Sequence, residues 1–458
     1  MAPPPVSLPN RPMHAHPSLL LSAVLAASPA AAAPVRLMTL EPGHFHAALV
    51  QMSMYEQVDP VVHVYAQPGP DLDLHLARIE GFNTRPDNPT QWQTEVHRCD
   101  DPLERMLAER PGNVVVLSGN NARKAEMIRR CVEAGLHVLA DKPMAINPAG
   151  FEDLRQAFAA AGTNGVLLYD IMTERFEVTT ILQRELSRNR ALFGKLATGT
   201  PQQPAVTKES VHHYFKTVAG KPLQRPPWFY DVTKQGEGIV DVTTHLVDLI
   251  QWECFPGEVL KPGDVAMLSA RTWATPVTRE EFAASTGLET FPGDLKGCLD
   301  AAGVLQVPAN GEFTYTLRGI HCKVSVRWNF KAPEGGGDTH DSVMRGSRAS
   351  LVIRQGAQQN FKPTLYVEPA AAEDDLGDAL ADAIAGLQEK WPKVSARQHG
   401  GSWEIVIPDR FKVGHEEHFA QVTKAYLDYL GSGRLPLWET PNMLVKYHTI
   451  MQAWQMSR

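Results

Sequence analysis

The chain changes its hydrophobic rhythm partway along its length. From Val35 to about Pro143, short and almost wholly apolar runs alternate with helical stretches. Val35–Leu40 ends in Glu41-Pro42-Gly43 and leads into a helical pattern over Phe45–Tyr55. Further runs follow at Val61–Tyr65, Asn113–Ser118, His137–Ala140 and Val166–Tyr169, with a helix predicted over Ala122–Ala134. Strands that are apolar on both faces and separated by helices belong to a parallel sheet covered on both sides. Its connections should be right-handed.

Beyond that point apolar and polar residues alternate one by one. Phe313–Leu317, Cys322–Phe330 and Ala349–Arg354 do so, and strands are expected near Ala205–His213 and Val265–Thr272. Alternation of this period marks an antiparallel sheet with one exposed face. Helices return over His415–Leu430 and Pro441–Met456, while Ala370–Leu387 reads as an inserted surface helix. The expected fold is an α/β Rossmann domain (residues 34–170) followed by an α+β domain (171–458). The second domain has an open, mostly antiparallel sheet flanked by helices, with helices 415–456 packing back.

Composition narrows the function classes. The 458 residues are 43% hydrophobic and 21% charged, with a formal net charge of -7. These values suit a globular protein and argue against nucleic acid or an anionic membrane as a partner. Residues 1–33 place Arg11 before the apolar run from Ser18 and an Ala-rich end, the layout of a cleavable signal peptide. A periplasmic or secreted protein is expected, the alternative being a disordered leader on a cytoplasmic enzyme. Five cysteines without paired spacing suggest neither a disulfide framework nor a zinc motif.

Two segments carry the chemistry. Gly135-Leu-His-Val-Leu-Ala-Asp-Lys-Pro143 ends a helix at glycine and a strand at Asp141-Lys142-Pro143. It sets an ammonium group at the carboxyl edge of the sheet, where open α/β sheets bind ligands. Gly236-Glu-Gly-Ile-Val-Asp-Val-Thr-Thr-His245 spaces Asp241 and His245 four apart, on one face if helical. A lysine, an aspartate and a histidine in one cleft form an acid/base set.

These segments resemble the Gfo/Idh/MocA family of nicotinamide-dependent sugar oxidoreductases, which carries Glu-Lys-Pro and a glycine-rich turn before Asp-x-x-x-His. The resemblance runs from about Val35 to the C-terminus. It implies that His245 is the acid/base, that Lys142 polarises the same substrate oxygen, and that Asp241 orients the sugar or the histidine. A lysine beside a nicotinium charge is expected to have a lowered pKa. Arg175, in the loop after the last Rossmann strand, is implied to face the cleft. Aromatic and cationic segments add His213, Lys216, Trp228 and Tyr230 as carbohydrate contacts. A homo-oligomer, dimer or tetramer, built on the outer face of the second sheet is also implied.

The nucleotide loop departs from the family pattern. Of Gly-x-Gly-x-x-Gly only Gly43 stands in Glu41-Pro-Gly-His-Phe-His46, and no acid directly follows the second strand. In one reading a dinucleotide still binds, through Gly43, His44, Phe45, His46, Ser118, Asn120, Asn121, Asp141, Lys142 and Pro143. In the other the fold has lost its cofactor and is a non-catalytic sugar-binding or scaffold protein. NAD is preferred to NADP, because no Arg or Lys directly follows the second strand to hold a 2′-phosphate. His44 and His46 could ligate a metal. On a turn they are expected to point apart, with no carboxylate pair near, so no metal is expected.

The function expected is NAD(P)-dependent oxidation or reduction of a secondary alcohol on a sugar or glycoside, with the cofactor tightly held. The alternative within enzymes is redox-neutral glycoside cleavage through a 3-keto intermediate.

Overall fold

The computed structural model describes Met1 and residues 34–218, 221–371 and 375–458. Apart from Met1, the expected signal segment lies outside them. Residues 34–458 form one compact unit.

The first half alternates strand and helix. It comprises β1 (Leu37–Leu40), α1 (His46–Leu49), β2 (Val61–Ala66), α2 (Pro70–Thr84), β3 (Gln93–Arg98), α3 (Pro102–Glu109) and β4 (Val114–Leu117). There follow α4 (Lys124–Glu133), β5 (His137–Asp141), α5 (Pro148–Asn164) and β6 (Leu168–Ile171). The strands pair in parallel in the order β3-β2-β1-β4-β5-β6. Winding reverses between β1 and β4, the switch point where such sheets hold ligands. Local signals fix the helix ends: Asp101 and Asn147 cap α3 and α5, each followed by proline at the first helical position.

Two expectations fail here. The helix over Phe45–Tyr55 shrinks to the single turn of α1. The next carbonyls are taken by later side chains, Gln51 by Trp92 Nε1 at 2.6 Å and Met52 by Arg85 at 2.7 Å. Strand β3 was not foreseen, because Gln-Thr-Glu-Val-His-Arg is a polar edge strand rather than an apolar run.

The second half begins with α6 (Val178–Ser187), β7 (Val206–Phe215), the small hairpin β8 (Thr217–Val218) and β9 (Lys221–Pro222), and α7 (Val232–Gln235). Next come α8 (Thr243–Cys254), β10 (Val265–Val277), α9 (Arg279–Thr286), β11 (Leu305–Leu317), β12 (Ile320–Lys331) and β13 (Thr339–Arg345). The remaining elements are β14 (Ala349–Arg354), β15 (Thr364–Pro369), α10 (Leu376–Leu387), β16 (Ser395–His399), β17 (Ser402–Val406), α11 (His415–Ser432) and α12 (Glu439–Met456). Nine of the strands form one sheet, β10-β11-β12-β7-β13-β14-β15-β17-β16, antiparallel except where β12 meets β7. Helix α10 is more than a surface insertion, since Leu376, Leu380 and Ile384 enter the core beneath this sheet.

The C-terminal helices return across the molecule. Phe419, Val422 and Tyr426 of α11, with Met443 and Tyr447 of α12, join the core of the parallel sheet. Val445, Ile450 and Met451 of α12 join the core of the other. No helix among the described residues is long and apolar enough to cross a membrane.

Candidate active site

Strand β5 is buried to its last residue, so Lys142 emerges at the carboxyl edge of the parallel sheet. Facing it is the glycine turn before α8. A Cβ on Gly238 would stand 1.7 Å from the Ala309 carbonyl oxygen, so only glycine lets this turn lie flush on β11. The turn delivers Asp241 to Lys142, whose Nζ donates to Oδ1 at 2.8 Å. Asp241 sits in the turn just ahead of α8 rather than on the helix, and His245 lies in its first turn. All three line one cavity of about 690 Å³.

The charges there are tightly set. Burial alone would lower the Lys142 pKa, but the Asp241 and Asp141 carboxylates outweigh it and hold the ammonium above the ordinary lysine value. With no nicotinium charge beside it, the carboxylates on either side decide the sign. Burial and the neighbouring Lys142 charge push His245 well below the ordinary histidine range, so its ring is neutral. Among the described residues its buried Nδ1 has no hydrogen-bond partner.

The first turn of the parallel sheet holds the other cluster. Ser118 Oγ donates to Asp141 Oδ2 at 2.8 Å and His46 Nδ1 lies 2.9 Å from the same oxygen. His44 Nδ1 approaches it to 3.4 Å. The expectation that these histidines diverge fails, because Phe45 adopts a right-handed helical conformation and the carboxylate arrives from β5. His46 Nε2 meets His415 Nε2 of α11 at 2.9 Å.

Of the expected cofactor residues, His44, Phe45, His46, Asn121, Asp141 and Lys142 line the cavity, while Gly43, Ser118, Asn120 and Pro143 do not. Ser118 stands behind Asp141, and Asn120 instead accepts from the Ala122 amide at 2.9 Å. Gly43 is covered: a Cβ there would meet Asp71 at 2.9 Å and the Trp228 ring at 3.2 Å. Pro143 is buried beyond the lysine. Gly119, within the Ser118–Asn121 segment, also lines the cavity, and so does Lys124, which was missed and donates to the Asp141 carbonyl at 3.1 Å.

The expected substrate contacts fare worse. Arg175 is buried in an ion-pair cluster, with both prongs on Asp248 at 2.6 Å and a third contact to Glu439 at 2.9 Å. All three guanidinium nitrogens are engaged there, and Arg175 does not line the cavity. Tyr230 is core, its hydroxyl on Ser285 at 2.5 Å. Trp228 donates to Asp71 at 2.9 Å and packs against Gly43, away from the cavity. On β7 the side chains alternate, so His212 and Ser210 line the cavity and His213 does not. Of the five, only Lys216 lines the cavity, paired with Asp338, which also faces His212 Nδ1 at 2.9 Å. Sequence reasoning missed Asp338 and His415, each brought in from a distant part of the chain, while Glu174 enters beside Arg175 from the loop after β6. Glu174 is raised to about 7 by burial and by Glu177.

Residues 61–169 match the model of the Gfo/Idh/MocA oxidoreductase family, NAD-binding Rossmann fold, and residues 182–458 match that of an oxidoreductase C-terminal domain. An oxidoreductase structure from Parabacteroides merdae is 50% identical over 93% of this chain and 98% of its own, with a TM-score of 0.91. The chain belongs to the Gfo/Idh/MocA oxidoreductases. More distant Gfo/Idh/MocA-like folds share only architecture with it. KijD10, a 3-ketoreductase from Actinomadura kijaniata solved with NADP and TDP-benzene, is 14% identical over 92% of this chain and 96% of its own, TM-score 0.54. GenD2 from gentamicin A biosynthesis, solved with NAD, is 15% identical over 93% and 94%, TM-score 0.54. No curated protein matched the chain.

This Gfo/Idh/MocA oxidoreductase carries an NAD-binding Rossmann domain, and the residues at the cavity fit a nicotinamide. Gly119 presents no side chain, and Asn121 Oδ1 and His245 Nδ1 are buried atoms without partners among the described residues. Asn121, Asp141 and Lys142, which line the cavity, are the groups that would hold it.

Proposed function

We propose that the enzyme interconverts a secondary alcohol and a ketone on a sugar or glycoside, with NAD rather than NADP held tightly. The observation that carries this reading is the Lys142–Asp241 pair at 2.8 Å, beside a neutral His245 in one cavity. Bound there, the nicotinamide supplies the hydride acceptor and donor. His245, neutral, takes the hydroxyl proton and returns it to the carbonyl oxygen in reverse. Lys142, kept charged by Asp241, hydrogen-bonds that oxygen and stabilises negative charge developing on it. Across the cavity, Asp338, His212 and Lys216 supply the charged and hydrogen-bonding groups that sugar hydroxyls need. That KijD10 is a 3-ketoreductase supports ketone–alcohol chemistry on this fold.

One observation favours a redox-neutral variant. Cleavage through a 3-keto glycoside needs a further base for the proton at C2, released as the aglycone leaves C1. Glu174, raised to about 7 in the same cavity, suits that task. Export and homo-oligomerisation belong to the proposal too. A protein working outside the cytoplasm would have to regenerate its nucleotide in place.

The test is to purify the chain without added cofactor, denature it and identify any released nucleotide by mass spectrometry. Stoichiometric NAD(H) is expected. A protein that is empty and binds no added dinucleotide would overturn the reading in favour of a scaffold. Aglycone release from aryl glycosides without net absorbance change would select the redox-neutral variant.

A further inference from the structure

The first turn of the parallel sheet contains more than a cofactor contact. Three side-chain atoms, Ser118 Oγ, His46 Nδ1 and His44 Nδ1, converge on the single oxygen Asp141 Oδ2, at 2.8, 2.9 and 3.4 Å. A carboxylate oxygen readily accepts two donors in its plane. Ser118 and His46 take those places, and His44 Nδ1 is left buried with no partner among the described residues. A buried ring nitrogen aimed at a carboxylate but bonded to nothing calls for an explanation.

The spacing supplies one. In a tetrahedral shell with metal–nitrogen distances of about 2.0–2.1 Å, neighbouring ligand atoms stand roughly 3.3 Å apart. The two histidine nitrogens lie 3.4 and 2.9 Å from Asp141 Oδ2, and all three atoms fall within 4.8 Å of one another. The rings meet edge to face, centroids 4.2 Å apart, so their nitrogens reach one point without stacking. We propose that His44, His46 and Asp141 form a binding site for a divalent transition-metal ion of the zinc class, with a coordination position open to the cavity.

The surroundings match an outer shell. Metal-bound histidines usually engage a partner through the second ring nitrogen, which fixes the tautomer. His46 Nε2 has such a partner in His415 Nε2, and Ser118 braces the carboxylate. Two cations stand close by. Lys142 is matched by Asp241 at 2.8 Å, and Lys124 donates to the Asp141 backbone carbonyl at 3.1 Å, not to its carboxylate. Two nitrogens and one carboxylate suit zinc, cobalt or iron(II) better than calcium or magnesium. The open position would take an oxygen donor, either water or a hydroxyl or carbonyl of the substrate held beside Lys142.

A second grouping, His63, Glu95 and His97 on the edge of the same sheet, provides the control. The full chain would be stripped with a chelator and titrated with Co(II), following the visible d–d bands that low-coordinate cobalt displays. One ion per chain is expected, displaced by zinc. His44→Ala should weaken binding by more than the roughly 10–100-fold that an outer-shell change costs, and His63→Ala should leave it unchanged. His44 is partly exposed, so its variant should fold, which circular dichroism would establish; His44→Gln is the second variant if it does not. An absent cobalt signal, or one that survives loss of the His44 imidazole, would overturn the site.

Discussion

His75 on α2 is 1% exposed, and neither ring nitrogen has a partner among the described residues. Burial lowers its pKa to about 4. In the unfolded chain the ring protonates near the ordinary value of about 6.5. Acid therefore favours the unfolded state, and this part of the stability is lost as pH falls from about 6.5 towards 4 and is flat above it. His75→Leu should remove one proton from that dependence and stabilise the fold at neutral pH by about 1–3 kcal/mol. Thermal unfolding at several pH values measures both. Lys142→Met tests the cleft itself: kcat should fall by about 100- to 1000-fold, the usual loss for one electrostatic donor. Since Lys142 is raised and His245 lowered, wild-type turnover should be flat around neutrality and decline only as pH climbs into the lysine range.

Among elements, the strongest tie is a buried cluster of charge. Arg175, after β6, pairs with Asp248 on α8 and Glu439 on α12, while Lys446 of α12 pairs with Asp170 of β6 at 2.9 Å and with Asp248 at 3.0 Å. Lys446→Met would leave buried Asp170 without its cation, while Asp248 keeps Arg175. Breaking one side of such a network costs about 3–5 kcal/mol, visible as a lower denaturant midpoint. The same cluster shows why Arg175 was misread: its position after a Rossmann strand was legible, but its partners lie on helices far along the chain. On β7 the period of a strand was legible too, yet choosing between His212 and His213 needed the register, and a slip of one residue exchanges the faces. Polar β3 hid because edge strands do not need to be apolar.

Over the whole molecule, the sequence was most informative where chemistry and topology coincide. The apolar β1, β2, β4 and β5 and the motifs at Lys142 and His245 placed the site at the carboxyl edge of the sheet, and the strand order adds the switch point. What it withheld was convergence: Glu174, Asp338 and His415 come from three separate segments, and no local pattern couples them. The glycine loop misled in the other direction. Gly43 looked like a remnant of a diphosphate cradle, but its open side is filled by Trp228 and Asp71.

The return of α11 and α12 carries a consequence for biogenesis. Their side chains complete the core of a sheet whose strands are made first, and α11 also brings His415 to the first turn. While the ribosome is still translating, that apolar surface has nothing to cover it, so the nascent chain must be shielded until its last residues emerge. Ribosome-arrested chains ending before His415 should remain open to protease throughout the first half, and those released at full length should become resistant. Loading of any ligand in the cavity is then a post-translational event.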